Sequence, residues 1–203
     1  MAITKTDTGR LVFSQAAYVN FTPYKNEDEI GDVTYNIVNI VGDTLSFTPD
    51  DNSINSKESE FKDDPLFEAV TLGKYQFAAT CIDFQNVVME NIFGWAPVEG
   101  EGVYAPAAYV NKYAAIEIGF HNEDVVVVAP KVKLNSKATL ASLKTGTGEG
   151  AIAGTAYSTE INTKTAPIAF LVKSDTKKTY TIKSGSSTKT FNMGDGASDG
   201  VQP

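Results

Sequence analysis

ATLASLKTGTGEGAIAG, Ala138 to Gly154, places four glycines in nine residues behind a short apolar run. Such a stretch either opens a helix that holds phosphate or joins two strands, and the two readings lead to different fold classes. The spacing matches G-x-G-x-x-A twice, at Gly146, Gly148 and Ala151 and again at Gly148, Gly150 and Ala153. A dinucleotide fingerprint needs a strand before the glycines and a helix after them, whose N-terminus holds the pyrophosphate. Here AIAGTAYSTEI follows, which reads as a strand, and Glu149 sets a negative charge beside the phosphate position. No βαβ unit surrounds the stretch, and Lys144 precedes the glycines, against P-loop order. The segment therefore reads as a flexible inter-strand connection whose glycines, Gly146, Gly148 and Gly150, let it adapt to a neighbour. The fold class follows as mainly β.

Strand signals dominate on both sides. DVTYNIVNIVGDTLSFTP has apolar residues at Val33, Tyr35 and Ile37, then a Gly42-Asp43 turn, then Leu45 and Phe47, which predicts a hairpin. NKYAAIEIGF, a turn at 121–124 and VVVVAPKVKLN predict a second hairpin over 112–134. Its β-branched run Val125 to Val128 is expected to be buried on both faces, and Pro130 restricts that strand to an edge, a bulge or a short length. AIAGTAYSTEI, APIAFLVKS and KTYTIKS read as further strands, and LFEAVTLGKYQFAAT as strand chemistry bent at Gly73.

One segment changes period. In DFQNVVMENIFGW, Phe84, Val87, Val88, Ile92 and Phe93 fall on one helical face, predicting a short helix over 83–94. Asp83 is placed to cap its start and Gly94 to end it in the left-handed conformation. APVEGEGVYAPAAY reads as a loop. Residues 49–66, acidic and rich in Ser and Asn, read as a loop too long for a compact domain unless it is functional. Its Asp50, Asp51, Asn52, Glu58, Glu60, Phe61, Asp63 and Asp64 are the candidate contacts to another subunit, with the loop disordered in the free monomer. The expected organisation is an N-terminal arm over 1–30, a β-sandwich or barrel-like domain over 31–184, and a flexible tail over 185–203.

Composition narrows the function. The chain of 203 residues has a formal net charge of -8, and all of that excess lies in residues 1–70, which carry 13 acids and 5 bases. An acidic chain with Arg10 as its one arginine is a poor grip for nucleic acid, which is held by cationic side chains that release counterions. The single cysteine, Cys81, lies in an apolar run and reads as a small buried hydrophobe. No run of residues is long and apolar enough for a membrane helix, and the start of the chain lacks the order of a secretory signal. Synthesis and assembly in a cytoplasm are expected.

Catalysis finds no footing. His121, the one imidazole, sits in the turn FHNED, with no nucleophile beside it in sequence. One Cys and one His do not make a zinc site, and PDDNSINSKESE lacks the central glycine and closing glutamate of a calcium loop. Trp95, directly after the helix-ending glycine, reads as a packing residue. No enzyme activity, metal or cofactor is expected.

The order of elements carries more than any motif. A hairpin, a long acidic loop, LFEAVTLGKYQFAATCIDF running into one helix, a second hairpin, and KVKLNSKATLASLKTGTGEGAIAGTAYS together resemble the major tail tube proteins of long-tailed bacteriophages, over residues 30–175. The resemblance implies a small β-sandwich with one flanking helix and a loop that reaches the neighbouring subunit. It implies homo-oligomeric rings, usually hexamers, stacked into a virion tail tube that is assembled in the host cytoplasm. It also implies a tape measure protein inside, tail terminator and tip proteins at the ends, and DNA that passes through unbound during genome ejection. Hairpin 112–134, with Lys112, Glu117, Lys131 and Lys133 on its exposed face, is the expected lumen lining. Those lysines sit awkwardly with an acidic lumen that would repel phosphate. Two other classes stay open. One is a carbohydrate-binding or adhesive β-sandwich using Tyr104, Tyr109 and Tyr113; the other is another assembly subunit, such as a capsid decoration or secretion-system tube protein.

Overall fold

In AAYVNFTPYKN, Val19 and Phe21 turn one way while Tyr18, Asn20, Thr22 and Tyr24 turn the other, so both faces of the strand have something to bury. The computed structural model builds this stretch as β1 (Ala16–Asn26) in the interior of a sheet. It describes residues 16–37, 39–59, 62–82, 86–108, 110–120, 125–139, 149–174 and 176–194, with the backbone alone described at 54–59, 62–70 and 138–139. After β1 come β2 (Glu29–Ile30), β3 (Tyr35–Asn36), β4 (Ser46–Pro49), β5 (Ser53–Ser59), β6 (Lys62–Thr71) and β7 (Tyr75–Cys81). Helix α1 (Asn86–Asn91) leads to β8 (Ala96–Val98), β9 (Gly102–Tyr104), β10 (Lys112–Phe120) and β11 (Val125–Leu134). Then follow β12 (Lys137–Thr139), β13 (Glu149–Ala156), β14 (Thr159–Ile161), β15 (Lys164–Ala166), β16 (Ala169–Val172), β17 (Thr179–Ser184) and β18 (Ser187–Asn192).

The main sheet runs β2-β1-β10-β11-β13-β7-β4 and is antiparallel, with β3 on β1, β12 on β13 and β16 on β11. One face gathers Val19, Phe21, Phe77, Ile116, Val132 and Ile152 around Val88, Ile92 and Phe93 from the helix region. Burying each such side chain contributes about 2 kcal/mol. The opposite face meets a second sheet, ordered β15-β14-β17-β18, through Tyr24, Val126 and Val128 against Tyr180, Ile182 and Phe191. The molecule is thus a layered β structure in which no sheet closes into a barrel among the described residues.

Several expectations stand. The 112–134 hairpin forms, Val125 to Val128 are buried on both faces, and Cys81 is fully buried. Pro130 falls where the β10–β11 register shifts between Ala114 and Ile116, so the missing N–H leaves no gap in the ladder. Its carbonyl accepts a hydrogen bond from the Tyr24 hydroxyl at 2.8 Å. The helix is shorter than 83–94. Val88, Ile92 and Phe93 are buried as expected, Val87 is half-buried, Met89 joins them, and Phe84 and Asp83 lie outside the described residues. Gly94 closes it with φ +73°, and the Trp95 N–H reaches the Met89 carbonyl at 2.9 Å.

Four boundaries differ. Within the expected arm over 1–30, residues 16–26 and 29–30 are sheet strands, because β1 buries both faces, while residues 1–15 lie outside the described residues. The expected 33–47 hairpin does not pair with itself: β3 joins β1 and β4 joins β7. Each half finds its aromatic partner on a different strand, Tyr35 at 5.4 Å from Phe21 and Phe47 at 5.0 Å from Phe77, ring centre to ring centre. The C-terminal segment is not a tail from 185 onward. β18 pairs along β17, and Phe191 stacks on Tyr180 at 5.1 Å, with residues 195–203 outside the described set. APVEGEGVYAPAAY contains the short hairpin β8–β9.

Candidate assembly surfaces

Residues 49–66 are the largest correction. They are not an unstructured loop: β5 pairs with β6, Ser53 opposite Thr71, Ile54 opposite Val70 and Lys57 opposite Phe67. The register continues that of β4 and β7, where Ser46 faces Ala78 and Pro49 faces Tyr75. One ribbon therefore leaves the main sheet and carries on past it, its ladder interrupted at 50–52 and 72–74. The junction is held by the Asp50 N–H on the Lys74 carbonyl at 2.7 Å, the Gly73 N–H on Asn52 Oδ1 at 2.9 Å, and Gln76 Nε2 on Asp50 Oδ2 at 2.7 Å. The acidic, Ser- and Asn-rich half of the ribbon shows no regular apolar alternation in sequence, so a reading based on hydrophobic period missed it. Beyond the junction, β5 and β6 pair only with each other among the described residues. Glu58, Asp63 and Asp64 lie on the ribbon, Asp50, Asp51 and Asn52 at its root, and Glu60 and Phe61 outside the described residues.

The expected lumen hairpin is present, but its four named residues do not share an exposed face. Glu117 is 5% exposed, roofed by the second sheet. Its Oε1 accepts from the Tyr18 hydroxyl at 2.8 Å, and the Tyr180 hydroxyl also bonds to it. Burial first, and then the Glu117 charge, push the Tyr180 phenol well above its ordinary pKa. Lys131 is largely covered, its ammonium 5.2 Å from the centre of the Tyr113 ring and 3.7 Å from Asp28. Lys133 shares the side of Lys131, whereas Lys112 belongs to the opposite face, beside Gly94. Glu117 looked outward in AAIEIGF because nothing local announces the sheet that covers it.

Around Glu117 the interface between the sheets becomes polar and opens into a cleft of about 320 Å³, lined by Asn20, Thr22, Thr34, Lys189 and Asn192 among others. Asn36 donates to Asn20 Oδ1 at 3.0 Å, and the hydroxyls of Thr22 and Thr34 lie 2.7 Å apart. Lys189 donates to the Gly31 carbonyl, and burial lowers its pKa.

A larger groove of about 1040 Å³ opens on the other face, lined by Ile40, Leu45, Phe47, Ile118, Phe120 and Phe170. Its rim continues onto β16, which pairs with β11 and with no other described strand. Phe170 is 54% exposed and Val172 50%. An edge strand that shows apolar side chains is a template for another chain.

The glycine stretch divides. Gly146 and Gly148 lie outside the described residues, and a strand, β13, follows them, as the rejection of phosphate binding required. Gly150 is not a flexible point: it sits in β13 opposite Cys81, and a Cβ there would strike the Phe93 ring. Among the described residues no three His, Cys, Asp or Glu side chains gather as metal ligands, and no helix is long and apolar enough to cross a membrane. Tyr104 is 51% exposed, Tyr113 is half-covered by Lys131, and Tyr109 and His121 lie outside the described residues.

No family model and no curated protein matches the chain. Among solved structures, it is similar to a chain in a cryo-EM structure of the anti-feeding prophage baseplate, 6-fold symmetrised. The two are 13% identical, the match covers 80% of this chain and 97% of that one, and the TM-score is 0.40. An overlap of that extent carries no weight on role, which rests on the surfaces described above.

Proposed function

We propose that this chain is a structural subunit that associates with its own copies into rings, and that the rings stack into the tail tube of a virion or a related injection particle. The observation that supports this most is the ribbon β5–β6, which projects from the sheet without a described partner. A lone two-stranded ribbon is marginally stable in water, so one retained at this length belongs against another surface. The exposed apolar edge at Phe170 and Val172 supplies a second place for a neighbour. In this reading nothing is catalysed, no cofactor is held, DNA passes without specific contacts, and tape measure, terminator and tip proteins are the other partners.

The ribbon can be excised cleanly. Asp50 and Lys74 already face each other across one hydrogen bond, so residues 51–73 can be replaced by Asn-Gly to close a two-residue turn. Sedimentation velocity across a concentration series should show large species from the full chain and a folded monomer from the excised one. Equal association of both would overturn the proposal.

A second reading is favoured by one feature, the hydrogen-bonding cleft beside Glu117, which suits a glycan-binding sandwich. Retention on a glycan matrix by a protein that stays monomeric would support it.

A further inference from the structure

The proposed assembly leaves open what the ribbon touches. Resting on that reading, we infer that the ribbon of one copy docks on the lysine-bearing second sheet of the next copy. Residues 53–71 carry five carboxylates and two lysines in sequence. Residues 159–192, which hold β14 to β18, carry six lysines and two carboxylates. An acidic chain thus concentrates opposite charge in two separate units of its fold.

Placement keeps them apart within one subunit. The second sheet packs over β1, β10 and β11, whereas the ribbon springs from β4 and β7. β4 lies three strands beyond β11 on the path, or about 14 Å at normal strand spacing. The seven residues of β5 then carry the ribbon outward by about 23 Å. Lys164 on β15 and Lys177 and Lys178 in the turn before β17 are exposed, and they join none of the ion pairs among the described residues. Lys183 on β17 is also exposed, with Glu160 3.8 Å away. Around Lys183 the outward face is threonine-rich, with Thr179, Thr181, Thr188 and Thr190, whereas Lys164, opposite Ile161 in the ladder, stands at the sheet's edge on its other side.

Two complementary surfaces at different places on one subunit make a head-to-tail contact. Repeated, that contact closes into a ring or continues as a helix, and either suits a tube. Opposed charges would also set register and speed encounter, more than they would add affinity.

Charge reversal in the full chain tests this. Lys164→Glu, Lys177→Glu and Lys178→Glu together, or Glu58→Lys, Asp63→Lys and Asp64→Lys together, should each raise the concentration at which association begins by about tenfold or more. Combining the two sets should bring it back to within about threefold of the natural chain. A control joins the lysine reversal to Asp43→Lys, Glu90→Lys and Glu99→Lys, which restores net charge away from the ribbon, and it should stay defective. Urea midpoints should show all four variants folded. Unchanged association after the lysine reversal, or a control that recovers as well as the combined variant, would overturn this contact while leaving ring assembly standing. No association by the natural chain at any concentration would remove both.

Discussion

The Tyr18 hydroxyl donates to Glu117 Oε1 at 2.8 Å, joining β1 to β10 across 99 residues of chain. Tyr180 reaches the same carboxylate from the second sheet, so one buried acid ties both layers together. Glu117→Ala would leave two phenols without that partner between the sheets. We expect a loss of about 3 kcal/mol in urea unfolding, against about 1 kcal/mol for Glu117→Gln, which keeps an acceptor. Equal losses would mean that shape rather than hydrogen bonding matters at this point.

The two buried tyrosines make stability depend on alkaline pH. Burial pushes the Tyr24 phenol up to about 12 and the Tyr180 phenol well above its usual value. A raised pKa means that the folded state holds its proton longer than the unfolded chain does. Their contribution is then complete below pH ~10 and falls as pH climbs from there through the folded values. Urea midpoints between pH 8 and pH 11.5 should drop more steeply for the natural chain than for the Tyr24→Phe, Tyr180→Phe variant. Parallel curves would remove the tyrosines as the cause.

Gly119 stands beside Tyr18 in the ladder, and a Cβ there would overlap the Tyr18 ring. Gly119→Ala should cost about 2 kcal/mol. It should also weaken the effect of a later Tyr18→Phe, because the displaced hydroxyl no longer meets Glu117. Additive losses in a double-mutant cycle would argue against that coupling.

Phe170 and Val172 are exposed on β16, so replacing both with Lys should change monomer stability by less than about 0.5 kcal/mol. If that edge meets a neighbour, the same variant should fail to form large species in sedimentation. Full assembly by a Phe170→Lys, Val172→Lys protein would place the interface elsewhere.

Local pattern in the sequence carried the elements that bury a regular stripe. The spacing of Val88, Ile92 and Phe93 marked the helix, and Val125 to Val128 marked the strand buried on both faces. Pairing was not legible, because nothing local says that Tyr35 will meet Phe21 while Phe47 meets Phe77. The strands at KTYTIKS and the end of AIAGTAYSTEI were legible, but not that with two more short strands they form a separate sheet, although Tyr180, Ile182 and Phe191 alternate there and called for a partner face. That omission made Glu117 look exposed. The ribbon was half legible: LFEAVT was read as strand, but the acidic part before it was read as loop, because its acidity and length were taken as absence of structure.

The most direct measurement is negative-stain electron microscopy of the purified full chain over a concentration series, beside the chain with residues 51–73 replaced by Asn-Gly. Hollow rings or tubes of uniform width from the full chain, and isolated particles from the excised one, are the expected result. Isolated particles from the full chain at every concentration, or tubes of normal width from the excised chain, would contradict a tube held together through the ribbon.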